Sequence, residues 1–457
     1  ADWDMAQPEP WLPAKKNPSG KKIAIVGAGP GGLSAAYYSA INGHDVTVFE
    51  RQNAAGGMMR YGIPEYRLPK ATLDREIDLM KKLGVKIQTG KSLGTHLRLE
   101  DLQKDFDAVF MAIGSWRATP LGVEGENLDG VWLGINYLAQ ETKGVEIKLG
   151  DTVVVIGGGN TAIDCARVAL RKGAKKVKLI YRRTQEEMPA EPYEVEEALH
   201  EGVEMLFLMA PNSITVKDGK KQVNCIEMQL GEPDRSGRRR PVPVEGSNIV
   251  IQADTIIGAI GQSTNTQFLY NDLPVKLNKW GDVEINGKTM QTSESNIFAG
   301  GDCVTGPATV IQAVAAGRRA AEAMDSFLTI GYAKESREDY SCSRGSMEDL
   351  AKWEYEAMPA AGARNAIPAT SARKRLTTAS NSRSRPTIVR ISPSSMTTRS
   401  SCATTTSVYR AAAVSQRAPR SKDRTYFPIT SSMDASSSAP RADFRSRKPT
   451  ASVAASA

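Results

Sequence analysis

The stretch Lys21-Lys22-Ile23-Ala24-Ile25-Val26-Gly27-Ala28-Gly29-Pro30-Gly31-Gly32 decides the fold. A short apolar run of Ile, Ala and Val suits a strand buried on both faces of a parallel sheet, and it collides with a glycine cluster. The spacing Gly27-x-Gly29-x-x-Gly32 turns the strand into a helix. Gly27 permits the tight turn, Gly29 lets a pyrophosphate approach the backbone, and Gly32 lets the helix pack on the strand. Pro30 and Gly31 lie at the start of that helix, where free N–H groups face the anion.

The context turns a weak motif into a unit. A helix over residues 32–42 stops at Gly43, a second strand follows over 45–49, and Glu50 stands at its end with Arg51 beside it. An acidic residue roughly 20 positions beyond the glycines is placed to accept hydrogen bonds from ribose hydroxyls. A helix over 70–83 stopped by Gly84, a strand over 85–88 and another over 107–112 extend the pattern to about Trp116. Alternating strands and helices predict a doubly wound α/β domain.

A second unit repeats the first. Strand residues 152–156 run into Gly157-Gly158-Gly159-Asn160-Thr161-Ala162, then a helix to Lys172 and a strand over 176–181. That strand ends in Arg182-Arg183 where the first unit has an acid, and guanidinium groups there suit a 2′-phosphate, favouring NADPH over NADH. A charge-rich hairpin is expected around residues 217–240. Ala112-Ile113-Gly114 and Ala259-Ile260-Gly261 echo one another as strand ends where the chain leaves one domain for the other beside a ligand. Finally Ile297-Phe298-Ala299-Gly300-Gly301-Asp302 forms a strand and a glycine-acid turn, and a helix over 308–328 opens at Thr309, Val310 and Ile311. Its positive end suits a ring that gains negative charge on reduction.

Composition bounds the rest. The 457 residues allow about three domains. No apolar run reaches the roughly 18 residues of a membrane span, and no signal peptide is apparent, so a soluble cytoplasmic protein is expected. Cys165, Cys225, Cys303, Cys342 and Cys402 are scattered without a Cys-x-x-Cys, which predicts neither a metal site nor a disulfide framework. Of the 59 Lys+Arg and 51 Asp+Glu, 17 and 3 lie in residues 363–457, leaving 42 and 48 in residues 1–362. The part able to fold is therefore mildly acidic, and no nucleic-acid partner is expected.

Two dinucleotide folds in tandem, the second inserted into the first, imply FAD in residues 21–118 with 262–331 and a nicotinamide nucleotide in 119–261. Residues 1–20 read as a linker from an upstream segment, 332–362 as an extension and 363–457 as a low-complexity, disordered tail. Hydride transfer belongs to such cofactors, so no catalytic side chain is named.

The segment Gly56-Gly57-Met58-Met59-Arg60-Tyr61-Gly62-Ile63-Pro64-Glu65-Tyr66-Arg67-Leu68-Pro69, with the motifs above, resembles the glutamate synthase small (β) subunit family. Its relatives include the FAD/NADPH part of dihydropyrimidine dehydrogenase and the large subunit of NADH-dependent ferredoxin:NADP oxidoreductase. The resemblance implies that Gly56, Gly57, Met58 and Arg67 line FAD, that Gly159 to Ala162, Arg182, Arg183 and 259–261 hold NADPH, with NADH possible, and that Gly301, Asp302 and 309–311 clamp the flavin. It also implies electron flow from NAD(P)H through FAD to an iron-sulfur or ferredoxin-type partner, a hetero-oligomer, and [4Fe-4S] clusters only on an upstream domain or a partner. A flavin disulfide reductase is disfavoured because residues 56–67 hold no cysteine pair. A non-catalytic FAD-binding scaffold is the other alternative, and the second nucleotide motif argues against it.

Overall fold

Strand β1 (Lys22–Val26) ends at Gly27, and helix α1 (Pro30–Ile41) starts with a proline where its missing N–H leaves no helical bond unmade. The chain continues through β2 (Asp45–Phe49), the short α2 (Met58–Tyr61), α3 (Lys70–Lys82), β3 (Lys86–Gln88), α4 (Leu99–Asp105) and β4 (Ala108–Met111). It leaves by β5 (Arg117–Ala118) for β6 (Val131–Leu133), α5 (Gly134–Thr142), β7 (Thr152–Ile156), α6 (Asn160–Arg171), β8 (Lys176–Tyr181), α7 (Pro192–His200) and β9 (Glu204–Phe207). Next come β10 (Met209–Lys217), β11 (Lys220–Pro233), β12 (Arg239–Ala253) and β13 (Thr255–Gly258). The chain returns by β14 (Gln262–Ser263) to β15 (Ile297–Ala299), α8 (Asp302–Thr305) and α9 (Val310–Ile330).

This computed structural model describes residues 11–234, 237–266 and 275–335, all within one compact unit. The extension beyond residue 335, the tail over 363–457, Cys342 and Cys402 lie outside the described residues.

The first sheet has the order β15-β4-β1-β2-β3 and the second β6-β13-β7-β8-β9, with every pair parallel. The two orders match strand for strand, with β7 in the place of β1 and β8 in that of β2. The fold is thus two Rossmann-like halves, the second inserted into the first between β5 and β14, which pair antiparallel as a short ribbon. Both faces of the first sheet are buried, as an unbroken apolar strand requires: Ile23 and Ile25 pack with Leu33 and Phe298 on one side, Ala24 and Val26 with Leu99 and Met111 on the other. Burying each such large aliphatic or aromatic side chain contributes about 1.5–3 kcal/mol.

The echo between 112–114 and 259–261 has a packing cause. A Cβ on Gly27 would collide with the Ala112 carbonyl, and one on Gly157 with the Ala259 carbonyl, so each of these glycines abuts the end of the neighbouring strand.

Two regions differ from the sequence reading. The charge-rich hairpin exists, turning between Lys217 and Lys220, but β12 extends it to a three-stranded antiparallel sheet. Ile214, Val223, Cys225 and Ile251 on that sheet pack with Val154, Ile156 and Ile256 of the second parallel sheet. Residues 11–20, read as a linker, lie against the first half: Lys16 N donates to the Ile41 carbonyl at 2.8 Å, Ser19 N to Gly43 at 3.0 Å, and Lys15 Nζ to Leu83 at 2.6 Å.

Candidate functional site

Each parallel sheet opens a cavity at the carboxyl ends of its strands, where strand order reverses. The first cavity is lined from β1 and α1 by Gly27, Gly29, Pro30 and Gly31. Gly32 does not line it; its α-carbon packs beneath the Gly27 carbonyl and brings helix onto strand. Gly57 and Met58 line the opposite wall, and a Cβ on Gly57 would stand 2.6 Å from the Gly29 α-carbon. Two backbones therefore touch there, at φ +53° for Gly57, and leave a cradle without side chains. Gly56 lies behind that wall, facing Leu73 and Arg60.

Glu50 is 4% exposed and lines the cavity at the end of β2. Its carboxylate accepts from Ala28 N at 2.8 Å and from Gln52 N at 2.7 Å, so it braces the glycine turn between β1 and α1. Burial raises its pKa, opposed by those backbone donors and by Arg51. Arg51 stacks its guanidinium on Trp116, 4.5 Å from the ring centroid, and both line the cavity. Trp116 escaped the sequence reading, although it stands two residues beyond Ala112-Ile113-Gly114. Lys91, Ser92, Leu93 and Thr95 also line the cavity and carry no local signal.

At the other end stand Ala112, Gly114, Gly301, Asp302, Thr309 and Val310. Burial pushes the Asp302 carboxyl up to about 6, against a backbone N–H from Ala308. Thr309 caps α9 reciprocally with Gln312: Gln312 N donates to Thr309 Oγ1 at 3.3 Å and Thr309 N to Gln312 Oε1 at 3.0 Å. The positive end of a 21-residue helix therefore opens on this cavity. Ile311 is exposed and does not line it.

The second cavity is lined by Gly157, Gly158, Gly159 and Thr161 from the loop before α6, by Arg182 and Arg183 at the end of β8, and by Ala259, Ile260 and Gly261 beyond β13. Ala162 is fully buried beside Gly157 and closes helix onto strand. Asn160 accepts at Oδ1 from Glu191 N at 2.9 Å, holding the start of α7. The two arginines differ. Arg182 is exposed at the rim, whereas Arg183 is buried and donates to Asp234 Oδ2 at 2.8 Å and to the Arg239 carbonyl at 2.7 Å. Arg238 also lines this cavity, brought in by the β11–β12 connection.

Arg67, expected at the flavin, is not among the residues lining the first cavity. Its Nη1 donates to both oxygens of Asp164 on α6 at 2.9 Å, and its Nε lies 3.0 Å from Glu194 on α7. Burial lifts the Asp164 pKa, and the Arg67 guanidinium beside it pulls it back down. The described cysteines are free and buried, and none lines either cavity. Burial raises the thiols of Cys165 and Cys303 as well.

Residues 21–317 match the family of the pyridine nucleotide-disulphide oxidoreductases. The chain is 44% identical over 342 residues to the NADP(+)-dependent formate dehydrogenase subunit beta of Moorella thermoacetica, covering 72% of this chain and 48% of that protein. It is 37% identical over 329 residues to the glutamate synthase [NADPH] small chain of Escherichia coli, covering 68% of this chain and 70% of that one. The chain thus spans about half the length of the first relative. In fold it is similar to FprA from Mycobacterium tuberculosis, at 18% identity and TM-score 0.58 over 73% of this chain and 89% of that one. No helix among the described residues is long and apolar enough to cross a membrane. Two glycine turns on two matched sheets, joined in one chain with this similarity, place it: the chain belongs to the pyridine nucleotide-disulphide oxidoreductase family, among the glutamate synthase small-chain-like oxidoreductases.

Proposed function

We propose that the chain is the NADPH-oxidising flavoprotein part of a larger redox assembly, with electrons leaving for an iron-sulfur or ferredoxin-type partner. The observation that carries this reading is the closeness of the two cavities. Gly114 and Trp116 line the first and Ala118 the second, so the walls meet within the few residues that enter the β5–β14 ribbon. Bound together, the cofactors supply hydride transfer from a dihydronicotinamide to a flavin.

The roles assigned to the chain follow from its chemistry. Residues 21–118 and 262–331 hold FAD and residues 119–261 hold NADPH. The N–H group of Gly31 at the start of α1 meets the pyrophosphate, and Glu50 accepts from ribose hydroxyls with the lone pairs that Ala28 and Gln52 leave over. Asp302 accepts from the hydroxylated chain of FAD, and the α9 terminus at Thr309 and Val310 favours negative charge developing on the ring. Arg182 meets the 2′-phosphate. The partner assignment draws support from the names of the relatives, a subunit beta and a small chain.

The test is anaerobic titration of the full chain, loaded with FAD, by NADPH. Bleaching of the flavin followed by reoxidation with oxidised ferredoxin supports the reading. A bound flavin that neither NADPH nor NADH bleaches refutes it and favours a scaffold; reoxidation by a small disulfide but not by ferredoxin overturns the partner.

A further inference from the structure

The loop over residues 56–69 is a wall shared by both halves. Gly57 and Met58 line the first cavity. Gly62 packs against Ile135, which lines the second; a Cβ on Gly62 would lie 3.3 Å from Ile135 Cδ1. Tyr66 then lies under two guanidinium groups of α6, Arg167 at 4.8 Å and Arg171 at 4.0 Å from its ring centroid. Arg67 closes on Asp164 and Glu194 as described, and Arg167 Nη1 reaches the other oxygen of Glu194 at 2.7 Å. Asp164 stands about one turn along the helix whose start, at Gly159 and Thr161, borders the second cavity.

We propose that Arg67 is a positioning residue: its planar fork on Asp164 and Glu194 fixes the nucleotide helix α6 against the flavin-side loop and so sets the spacing of the two cofactors. The proposal rests on the functional reading above. Its physical basis is a second contact on one helix. The chain crossings form a ribbon of two residues per strand, and from it Gln262 Nε2 reaches Thr161 Oγ1 at the start of α6 at 3.4 Å. The Arg67 contact holds the same helix one turn further on, and a guanidinium that bridges two carboxylates, Nη1 on Asp164 and Nε on Glu194, is directional where a lysine would not be. Misplacing reacting groups by about 1 Å costs up to about a hundredfold in rate.

The test uses the full chain loaded with FAD, as wild type, Arg67→Gln, Asp164→Asn, the double variant and Arg67→Lys, mixed rapidly with NADPH without oxygen. The expected result is a fall of about ten- to hundredfold in the limiting rate of flavin bleaching, with half-saturating NADPH within about threefold of wild type and FAD content unchanged. The double variant should be no slower than either single one, and Arg67→Lys should fall between. If Arg67→Gln does not accumulate as folded protein, Asp164→Asn and Arg67→Lys carry the same test. An unchanged or faster limiting rate overturns the proposal, as does loss of FAD from Arg67→Gln but not from Asp164→Asn, which would make Arg67 a flavin ligand. If the wild-type flavin is not bleached at all, the functional reading falls and the proposal with it.

Discussion

Arg182→Ala should remove the preference for a 2′-phosphorylated nucleotide while leaving the fold intact. Arg182 sits exposed at the rim of the second cavity, with no hydrogen bond or ion pair among the described residues. Arg183, its neighbour, is 5% exposed and is anchored through Nε to the Arg239 carbonyl and through Nη2 to Asp234. Arg183 is held in place by those two bonds, whereas Arg182 at the rim is free to turn its whole fork to a phosphate. A hydrogen bond to a charged group contributes about 1.5–3 kcal/mol, and the open rim draws the figure toward about 1.5–2 kcal/mol through screening. At about 1.4 kcal/mol per factor of ten, the half-saturating NADPH concentration should rise roughly ten- to thirtyfold, with NADH little changed. Anaerobic bleaching of the flavin over a range of each nucleotide measures both. Arg183→Ala supplies the contrast: it removes a buried guanidinium from Asp234 and from the Arg239 carbonyl and loosens β12 from the end of β8, so it should lower the Tm far more than Arg182→Ala does. An unchanged NADPH-to-NADH ratio in Arg182→Ala, or equal weakening of both, would refute the reasoning.

Gly57→Ala forces a side chain into φ +53°, at about 1–3 kcal/mol, and drives a Cβ to 2.6 Å from the Gly29 α-carbon, at about 1–3 kcal/mol more. FAD retention through gel filtration should drop sharply, and full retention would deny the backbone cradle. Burial pushes the Asp302 carboxyl up to about 6, and a ribityl hydroxyl donates a stronger bond to its ionised form than to its neutral one. FAD affinity should therefore be flat above pH 6 and weaken as pH falls through it, by up to about tenfold per pH unit, and Asp302→Asn should flatten that profile. A profile that survives the substitution moves the proton to Glu50, which burial also raises. Cys165→Ala and Cys303→Ala together should leave flavin bleaching and its reoxidation by ferredoxin within about twofold; lost turnover would reinstate a thiol relay.

What was legible in the sequence was local. Strand, glycine turn and helix fall within twelve residues at each phosphate loop, so the hydrophobic run and the glycine spacing suffice to place β1 with α1 and β7 with α6. The placement of Glu50 needed only the end of the next strand. Trp116, Lys91 and Arg238 were not legible, because a cavity wall assembled from loops has no period, and stacking or rim charge depends on which distant loops converge. The three-stranded sheet was half legible: Val223 and Cys225 alternate with polar neighbours, but the pairing of β11 with β12 rests on partners far along the chain.

Arg67 shows why proximity along the chain misleads. Ten residues beyond Gly57, within one continuous loop, it inherits from the sequence the ligand of its neighbours. Its carboxylate partner lies 97 residues on, on a helix whose Asp164, Arg167 and Arg171 share one face. By spacing alone that face is a solvated, self-pairing stripe of the kind common on exposed helices. What distinguishes it is the cover: Tyr66 stacked on the two arginines and the Arg67 fork seal the stripe, leaving Asp164 and Arg167 each 5% exposed. Charges removed from water in this way are costly unless each finds a geometrically good partner, and every one here does, through Glu194 and Glu201. Such a network adds little net stability over an apolar contact, but its directional bonds admit one docking angle where apolar surfaces tolerate several. A protein proposed to hold two cofactors in register needs orientation at that joint more than adhesion, and that is the ground on which the proposal ties Arg67 to the rate of flavin bleaching.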